Sequence, residues 1–213
     1  MRIIILGPQG AGKGTQAQRL AQRTGAKQIS TGDIVRAEIK SGSELGRNVQ
    51  DFNDRGELVP DEIIVEMAKP YLDDADAWVL DGFPRNEAQA RALDEALEDL
   101  GIELDGAVAL EAPDDDLVKR LSGRRTSDAT GRVYHVEHDP PPEEDSAEDP
   151  GPFVQRKDDT EEAIRRRLDI YHEQTEPLKD YYAERGLLTV VDATRSIPEV
   201  TEEILSNLGG SRA

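Results

Sequence analysis

Apolar and polar positions alternate along this chain in two rhythms. Arg2-Ile3-Ile4-Ile5-Leu6 is a short continuous apolar run ended by Gly7, the pattern of a parallel strand covered on both faces. Similar runs at Ala77-Trp78-Val79-Leu80, Ala107-Val108-Ala109-Leu110 and Leu187-Leu188-Thr189-Val190-Val191, with a shorter one at Lys27-Gln28-Ile29, predict five strands. Between them apolar residues recur at helical spacing over 14–24, 33–39, 44–55, 61–72, 86–100, 114–121, 160–185 and 197–208. Strands alternating with helices predict an α/β fold, a parallel sheet with right-handed crossovers wrapped by helices.

Two stretches exceed what such a sheet needs. Three helical segments lie between the second and third strands, so residues 30–59 are expected to form a small helical insertion. Within 123–159 a short strand, Arg132-Val133-Tyr134-His135-Val136, precedes Asp139-Pro140-Pro141-Pro142-Glu143-Glu144-Asp145, where proline and charge exclude helix or central strand. A loop this long in a compact domain is either disordered or a functional lid. The core domain is then 1–29, 60–122 and 160–213.

Gly7-Pro8-Gln9-Gly10-Ala11-Gly12-Lys13-Gly14-Thr15 follows the first strand and opens the first helix. Glycines there let backbone N–H groups converge on phosphate oxygens, the helix start adds positive potential, and the lysine reaches the β- and γ-phosphates. Gly14 stands where the general pattern has Ser or Thr, which moves the hydroxyl to Thr15. This loop establishes phosphate binding and leaves the reaction open. Trp78-Val79-Leu80-Asp81 delivers a carboxylate to a strand's carboxyl end, suited to Mg²⁺ directly or through its water shell, or to capping the next helix.

Ordered motifs follow the loop: Ile29-Ser30-Thr31-Gly32-Asp33, Asp81-Gly82-Phe83-Pro84-Arg85, Gly123-Arg124-Arg125, Gly131-Arg132-Val133-Tyr134-His135 and Arg156-Lys157-Asp158-Asp159. With them the chain resembles, along essentially its whole length, the long-lid nucleoside monophosphate kinases of the adenylate kinase family. The resemblance implies a P-loop three-layer fold with a five-stranded parallel sheet, an AMP-binding insertion at 30–59 and a lid at 123–159. It also implies reversible Mg²⁺-dependent phosphoryl transfer, ATP + AMP = 2 ADP.

By that resemblance Gly10, Ala11, Gly12, Lys13, Gly14 and Thr15 hold the donor phosphates, and Arg120 and Arg124 close over ATP with Val133 and Tyr134. Arg36, Arg85, Arg156 and Arg167 hold AMP and the transferred group, and a cis peptide at Phe83-Pro84 after Gly82 aims Arg85. Lys13, Arg85, Arg120, Arg124, Arg156 and Arg167 form the catalytic set. Thr31 and Gln89 read adenine, with backbone atoms around Glu57-Leu58-Val59 completing the acceptor pocket. Main chain near Arg195 meets the donor base, which leaves ATP and GTP undistinguished. Asn86 matches pyrimidine monophosphate kinases, whereas Glu87-Ala88-Gln89 does not. Another acceptor therefore remains an alternative within the enzymes, and a nucleotide-binding switch outside them.

Spacing adds two expectations. Arg120 and Arg124, at i and i+4, share a helix face until the lid begins. Arg156 and Arg167, about three helical turns apart, face one side if their helix starts early. Arg125, Arg165 and Arg166 are read as surface ion pairs.

Charge changes the picture of the surface. The net charge is -19, with 33% charged and 36% apolar residues. Acids outnumber bases 20 to 12 over 1–110 and 25 to 14 over 111–213, so the acidity covers the whole surface. Such a surface repels nucleic acid and anionic membranes and suggests adaptation to concentrated salt. Between Asp139 and Gln155 there is no base, while Asp139, Glu143, Glu144, Asp145, Glu148 and Asp149 repel one another at low salt. Some relatives tie this lid with zinc through four cysteines; this chain has no cysteine, and Ser127 and Thr130 stand near the first pair of ligand positions, so no zinc is expected and hydrogen-bonding Ser, Thr and Asp side chains are expected to fasten the lid instead. With no apolar run of membrane-spanning length and no signal peptide, a cytoplasmic protein is expected, and the long-lid branch implies a monomer.

Overall fold

The computed structural model describes residues 1–54, 60–155 and 159–210. Among these the chain runs β1 (Arg2–Leu6), α1 (Lys13–Thr24), β2 (Lys27–Ser30), α2 (Thr31–Ser41), α3 (Glu44–Asp54), α4 (Asp61–Asp73), β3 (Trp78–Asp81), α5 (Glu87–Asp99), β4 (Gly106–Glu111) and α6 (Asp114–Ser122). It continues through β5 (Arg124–Ser127), β6 (Val133–His135), β7 (Phe153–Val154), α7 (Glu161–Ile170), a π-helical turn (Tyr171–Thr175), α8 (Leu178–Ala183), β8 (Leu188–Asp192) and α9 (Ile197–Gly210).

Five strands form one parallel sheet in the order β2-β3-β1-β4-β8, with Ile4 of β1 facing Leu80 of β3 and Ala107 of β4 in register. Alternate residues of each strand go to opposite sides. Ile3, Ile5, Val79, Val108 and Leu110 pack with Ala17 and Leu20 of α1, Leu117 of α6 and Ile204 of α9. Ile4, Leu6, Leu80, Ala107 and Ala109 pack with Leu72 of α4, Leu93 of α5 and Tyr182 of α8. Both faces are covered, which is why the strands read as unbroken apolar runs. Each fully buried Ile or Leu contributes about 1.5–3 kcal/mol. The β1–α1–β2 and β3–α5–β4 crossovers run in opposite directions across the sheet and lie on opposite faces, as a single handedness requires.

A second, antiparallel sheet, β6-β5-β7, lies between α6 and α7 in sequence, with Arg124 opposite His135 and Thr126 opposite Val154. No helix of the described residues is long and apolar enough to cross a membrane.

Three expectations are corrected. The single helix over 160–185 is three pieces, α7, the π-helical turn and α8, with Pro177 between the last two lacking the N–H a continuous helix needs. Arg120 and Arg124 do not share a helix face, because α6 ends at Ser122 with Gly123 as its cap and Arg124 opens β5. The early helix start that would align Arg156 with Arg167 is not seen: α7 begins at Glu161, capped by the Thr160 side chain. Arg156 itself, with Glu57, Leu58 and Val59, lies outside the described residues.

Candidate active site

The loop after β1 is shaped by what it must avoid. Gly7 has φ +142, and a Cβ there would sit 2.7 Å from the Leu110 carbonyl oxygen, so only glycine leaves β1 this way. Gly10 fits against Leu121, and Ala11 is buried in the core. Gly12, in the left-handed region, caps α1, so Lys13, Gly14 and Thr15 form a first turn whose N–H groups lack helical acceptors.

Lys13 Nζ donates to the carbonyls of Gly7 (2.7 Å) and Pro8 (2.9 Å), which holds the ammonium inside the loop and leaves one of its three donors. Burial lowers its pKa to about 8. The Asp81 carboxylate opposes that, while Arg85, Arg167 and Arg124 add to it. These arginines come from separate segments of the chain, and all are within electrostatic reach of one ammonium.

Asp81 ends β3, beside β1 in the sheet, and a Cβ on Gly14 would lie 3.4 Å from its Oδ2. Burial raises the Asp81 pKa and Asp33 raises it further, against the pull of Lys13, Arg85 and Arg36. Thr31 Oγ1 lies 3.5 Å from the Asp81 carbonyl, and a Cβ on Gly82 would approach both Thr31 Oγ1 (3.3 Å) and Arg85 Nη2 (3.7 Å). The Phe83-Pro84 peptide is cis, and both residues are buried.

Arg85 follows, with Nε donating to the Gly82 carbonyl at 2.9 Å. Its N–H donates to Gln89 Oε1 (2.7 Å) and its carbonyl accepts from Thr175 Oγ1 (2.6 Å), so the peptide is held on both sides. Gln89 is buried and donates from Nε2 to Asp61 at 2.6 Å. Arg36 is exposed and paired with Asp33.

Arg124 makes a two-pronged bond to buried Asp159, Nε–Oδ2 2.9 Å and Nη2–Oδ1 2.5 Å. Arg120 Nη2 donates to the Ala193 carbonyl at 2.9 Å, tying α6 to the loop after β8. The Arg195 side chain turns to Glu203 at 2.5 Å. Val133 is exposed, whereas Tyr134 is buried within the small sheet.

Known proteins resemble the chain over almost its whole length. The family profile described as adenylate kinase matches residues 5–187. An adenylate kinase of Thermodesulfovibrio yellowstonii is 48% identical over 98% of this chain and 99% of that protein. Those of Streptomyces coelicolor and Caldicellulosiruptor bescii are 47% and 46% identical, each over 98% of this chain and 98% and 99% of their own lengths. The chain belongs to the adenylate kinase family. It is therefore a phosphotransferase of the P-loop fold.

Of the residues singled out for this family's chemistry, Lys13, Asp81, Arg85, Arg124 and Arg167 come together around the phosphate loop. Thr31 and Gln89 reach the same neighbourhood through Gly82 and Arg85. Arg195 points away by its side chain, and Tyr134 spends its hydroxyl inside the small sheet. Arg165 and Arg166 pair with Glu161 and Glu162, as surface residues do, whereas half-buried Arg125, also read as a surface ion pair, instead donates to the carbonyls of Ser122 and Arg124.

The small sheet also holds a carboxylate that sequence reasoning treated as one of six repelling acids. Asp149 is fully buried and accepts from Ser127 Oγ (2.6 Å), Thr130 Oγ1 (2.6 Å), Tyr134 OH (2.9 Å) and Gly151 N–H (3.1 Å). Burial alone would raise its pKa; those hydrogen bonds, led by Ser127 and Thr130, outweigh burial and bring it to about 2. Glu148 pairs with Arg132 at 2.8 Å. Asp61, Asp159 and Thr175 were also given no role from sequence. Their only signal lies in partners 28, 35 and 90 positions away.

Proposed function

We propose that the cleft at the carboxyl ends of β1 and β3 moves the terminal phosphoryl group of ATP onto AMP, reversibly giving two ADP. What carries this reading is the convergence of Asp81, Arg85, Arg124 and Arg167 around one ammonium, Lys13. Like charges held together repel one another, and such a cluster suits polyanions whose charge it can neutralise during transfer.

The core, 1–29, 60–122 and 160–213, carries the phosphate loop. Residues 30–59 hold the acceptor, and 123–159 form the lid that excludes water from the phosphoryl group. Loop N–H groups of Gly10 to Thr15 and the free Lys13 donor bind donor phosphates, with Arg120 and Arg124 closing over them beside Val133 and Tyr134. Main chain at Arg195 meets the donor base. Arg36, Arg85, Arg156 and Arg167 place the AMP phosphate in line, with Thr31, Gln89 and backbone at 57–59 around its base. An oxygen of the AMP phosphate attacks the γ-phosphorus as the bond to the bridging oxygen breaks, so no general base is required.

Mg²⁺ fits at Asp81, whose carboxylate accepts no hydrogen bond from the described residues and has the Asp33 charge nearby. These two residues would hold the ion through its water shell, and the ion would supply charge neutralisation on the donor phosphates. The lid takes no zinc, because Ser127, Thr130 and Asp149 are bonded to one another. The protein works as a monomer in a salt-rich cytoplasm, without nucleic acid or membrane partners, a reading supported by its net charge of -19.

Calorimetry with analogues of ATP and AMP, separate and covalently linked, tests the two-site reading. Two sites, with the linked compound binding far more tightly, are expected; a single site overturns it. A screen of AMP, CMP, UMP and GMP with ATP in molar salt tests the acceptor, with AMP expected to lead.

A further inference from the structure

Gln89 lies among groups that dictate which way round its amide sits. A side-chain amide has two flips that exchange a donor end for an acceptor end. Here both neighbours are one-way. The Arg85 backbone N–H can only donate, and it meets Oε1 at 2.7 Å; the Asp61 carboxylate can only accept, and it meets Nε2 at 2.6 Å. The flipped amide would set N–H against N–H and oxygen against carboxylate. One amide proton and one oxygen lone pair remain for a ligand, in a fixed order.

We infer that Asp61 is a specificity-determining positioning residue, which with the Arg85 N–H locks the Gln89 amide and so selects a 6-amino purine over a 6-oxo purine as acceptor base. Adenine offers an amino donor at position 6 beside a ring-nitrogen acceptor, whereas a 6-oxo purine offers an oxo acceptor beside a ring N–H. An amide free to flip satisfies either base. A locked one satisfies one order and leaves two buried polar groups opposed in the other, the kind of penalty that separates substrates by more than contact area does. Asp61 opens α4, 28 residues before Gln89 on α5, so the lock also ties these two helices at the acceptor side. The inference rests on the reading that Gln89 faces the acceptor base.

The test compares kcat and KM for AMP and for inosine monophosphate, which differs from AMP only in its 6-oxo edge, at saturating ATP. The proteins are the wild type, Asp61→Ala, Asp61→Asn and Gln89→Ala. Asp61→Ala is expected to lower the AMP-to-inosine ratio of kcat/KM about 10-fold, through the acceptor KM and with the KM for ATP unchanged. Asp61→Asn, nearly isosteric and so a safeguard if the alanine variant does not fold, should lower the ratio in the same direction by a smaller factor. A purely structural Asp61 would depress both acceptors together; a ratio within about twofold of wild type in every folded Asp61 variant overturns the lock, given that a lost polar match is worth ~10-fold or more. Gln89→Ala separates the two levels. If it collapses the ratio while the Asp61 variants do not, only the lock fails; if it too leaves the ratio intact, Gln89 does not read the base.

Discussion

The five-stranded sheet buries Ile3, Ile4, Leu80 and Leu110 completely, whereas the three-stranded sheet of the proposed lid buries a carboxylate, Asp149, at its centre. The large sheet has helices on both faces and can close an apolar interior around itself. The small one has three short strands and an edge-on Tyr134–Phe153 pair at 5.3 Å, with Val133, Val136 and Val154 still exposed. Too little apolar area is available there, so geometry is fixed by directional bonds converging on one anion. The core can therefore carry poorly solvated charge at its rim for function, while the lid uses a charge for its own order.

Removing charge from each region should break different things. Lys13→Met and Arg85→Ala are each expected to lower turnover about 10³-fold or more, by the scale on which single cations act on a migrating phosphoryl group. Thermal stability should not fall with Lys13→Met, because burial disfavours that charge in the folded enzyme. A coupled assay and a melting curve on the same sample check both halves. Near-full turnover in either variant would remove that residue from the mechanism.

Asp149→Ala should do the reverse. It leaves the hydroxyls of Ser127, Thr130 and Tyr134 without their shared acceptor. Amide exchange over β5 to β7 should speed up by at least ~10-fold while exchange in β1 and β4 is unchanged, as for a unit that opens separately from the core. kcat/KM should fall with it, by about 10-fold, through poorer closure. Exchange rising equally in both sheets would mean that the lid is not an independent unit.

The same contrast explains what could be read from sequence. β1 and β4 were legible because burial on both faces writes an unbroken apolar run, and the loop after β1 because glycine is enforced where Leu110 crowds the chain. Arginines near the phosphate loop were legible only through motif order, since nothing local distinguishes Arg124, bound to Asp159, from Arg165 on the surface. The lid's hub was legible only in kind, as Ser, Thr and Asp side chains standing in for zinc ligands: Ser127 and Thr130 were marked by position, but Asp149 follows no period, and carboxylates are common at any spacing. The break in 160–185 had a visible signal in Pro177, overridden by helical periodicity that continues on both sides of it. The end of α6 had one in Gly123.

Titration sharpens the comparison, because Lys13 and Asp149 shift in functionally opposite senses. Lys13, brought to about 8, is partly neutral in mildly alkaline solution, and bound polyphosphate should restore its proton. ATP binding should then take up a proton near pH 8, and affinity should fall about 10-fold between pH 7 and pH 9 if only the charged form binds. Calorimetry in buffers of different ionisation enthalpy measures the uptake, which should vanish in Lys13→Met. Asp149, lowered to about 2 from an ordinary 3.8, contributes stability that is present above pH 3.8 and lost only as the pH falls through about 2. Protection of the Gly151 amide, bonded to Asp149, should therefore persist at pH 4. Early loss there would show that the hub is held by something else.

Salt should give the smallest effect on the lid, and for a structural reason. Six acids crowd 139–149 in sequence, but Asp149 is buried in hydrogen bonds and Glu148 is paired with Arg132, so the exposed repulsion, unpaired among the described residues, is left to Asp139, Glu143, Glu144 and Asp145. Raising salt from 0.1 M to 1 M shortens the screening length from ~10 Å to ~3 Å, which weakens that repulsion and the repulsion between an acidic protein and an anionic nucleotide. The KM for ATP should fall by about 2- to 3-fold over this range, since exposed charges interact weakly. Replacing Glu143 and Glu144 by Gln should remove part of that response and leave turnover in molar salt unchanged. A response that is undiminished in the double variant would assign the salt dependence to the whole acidic surface rather than to closure of the lid.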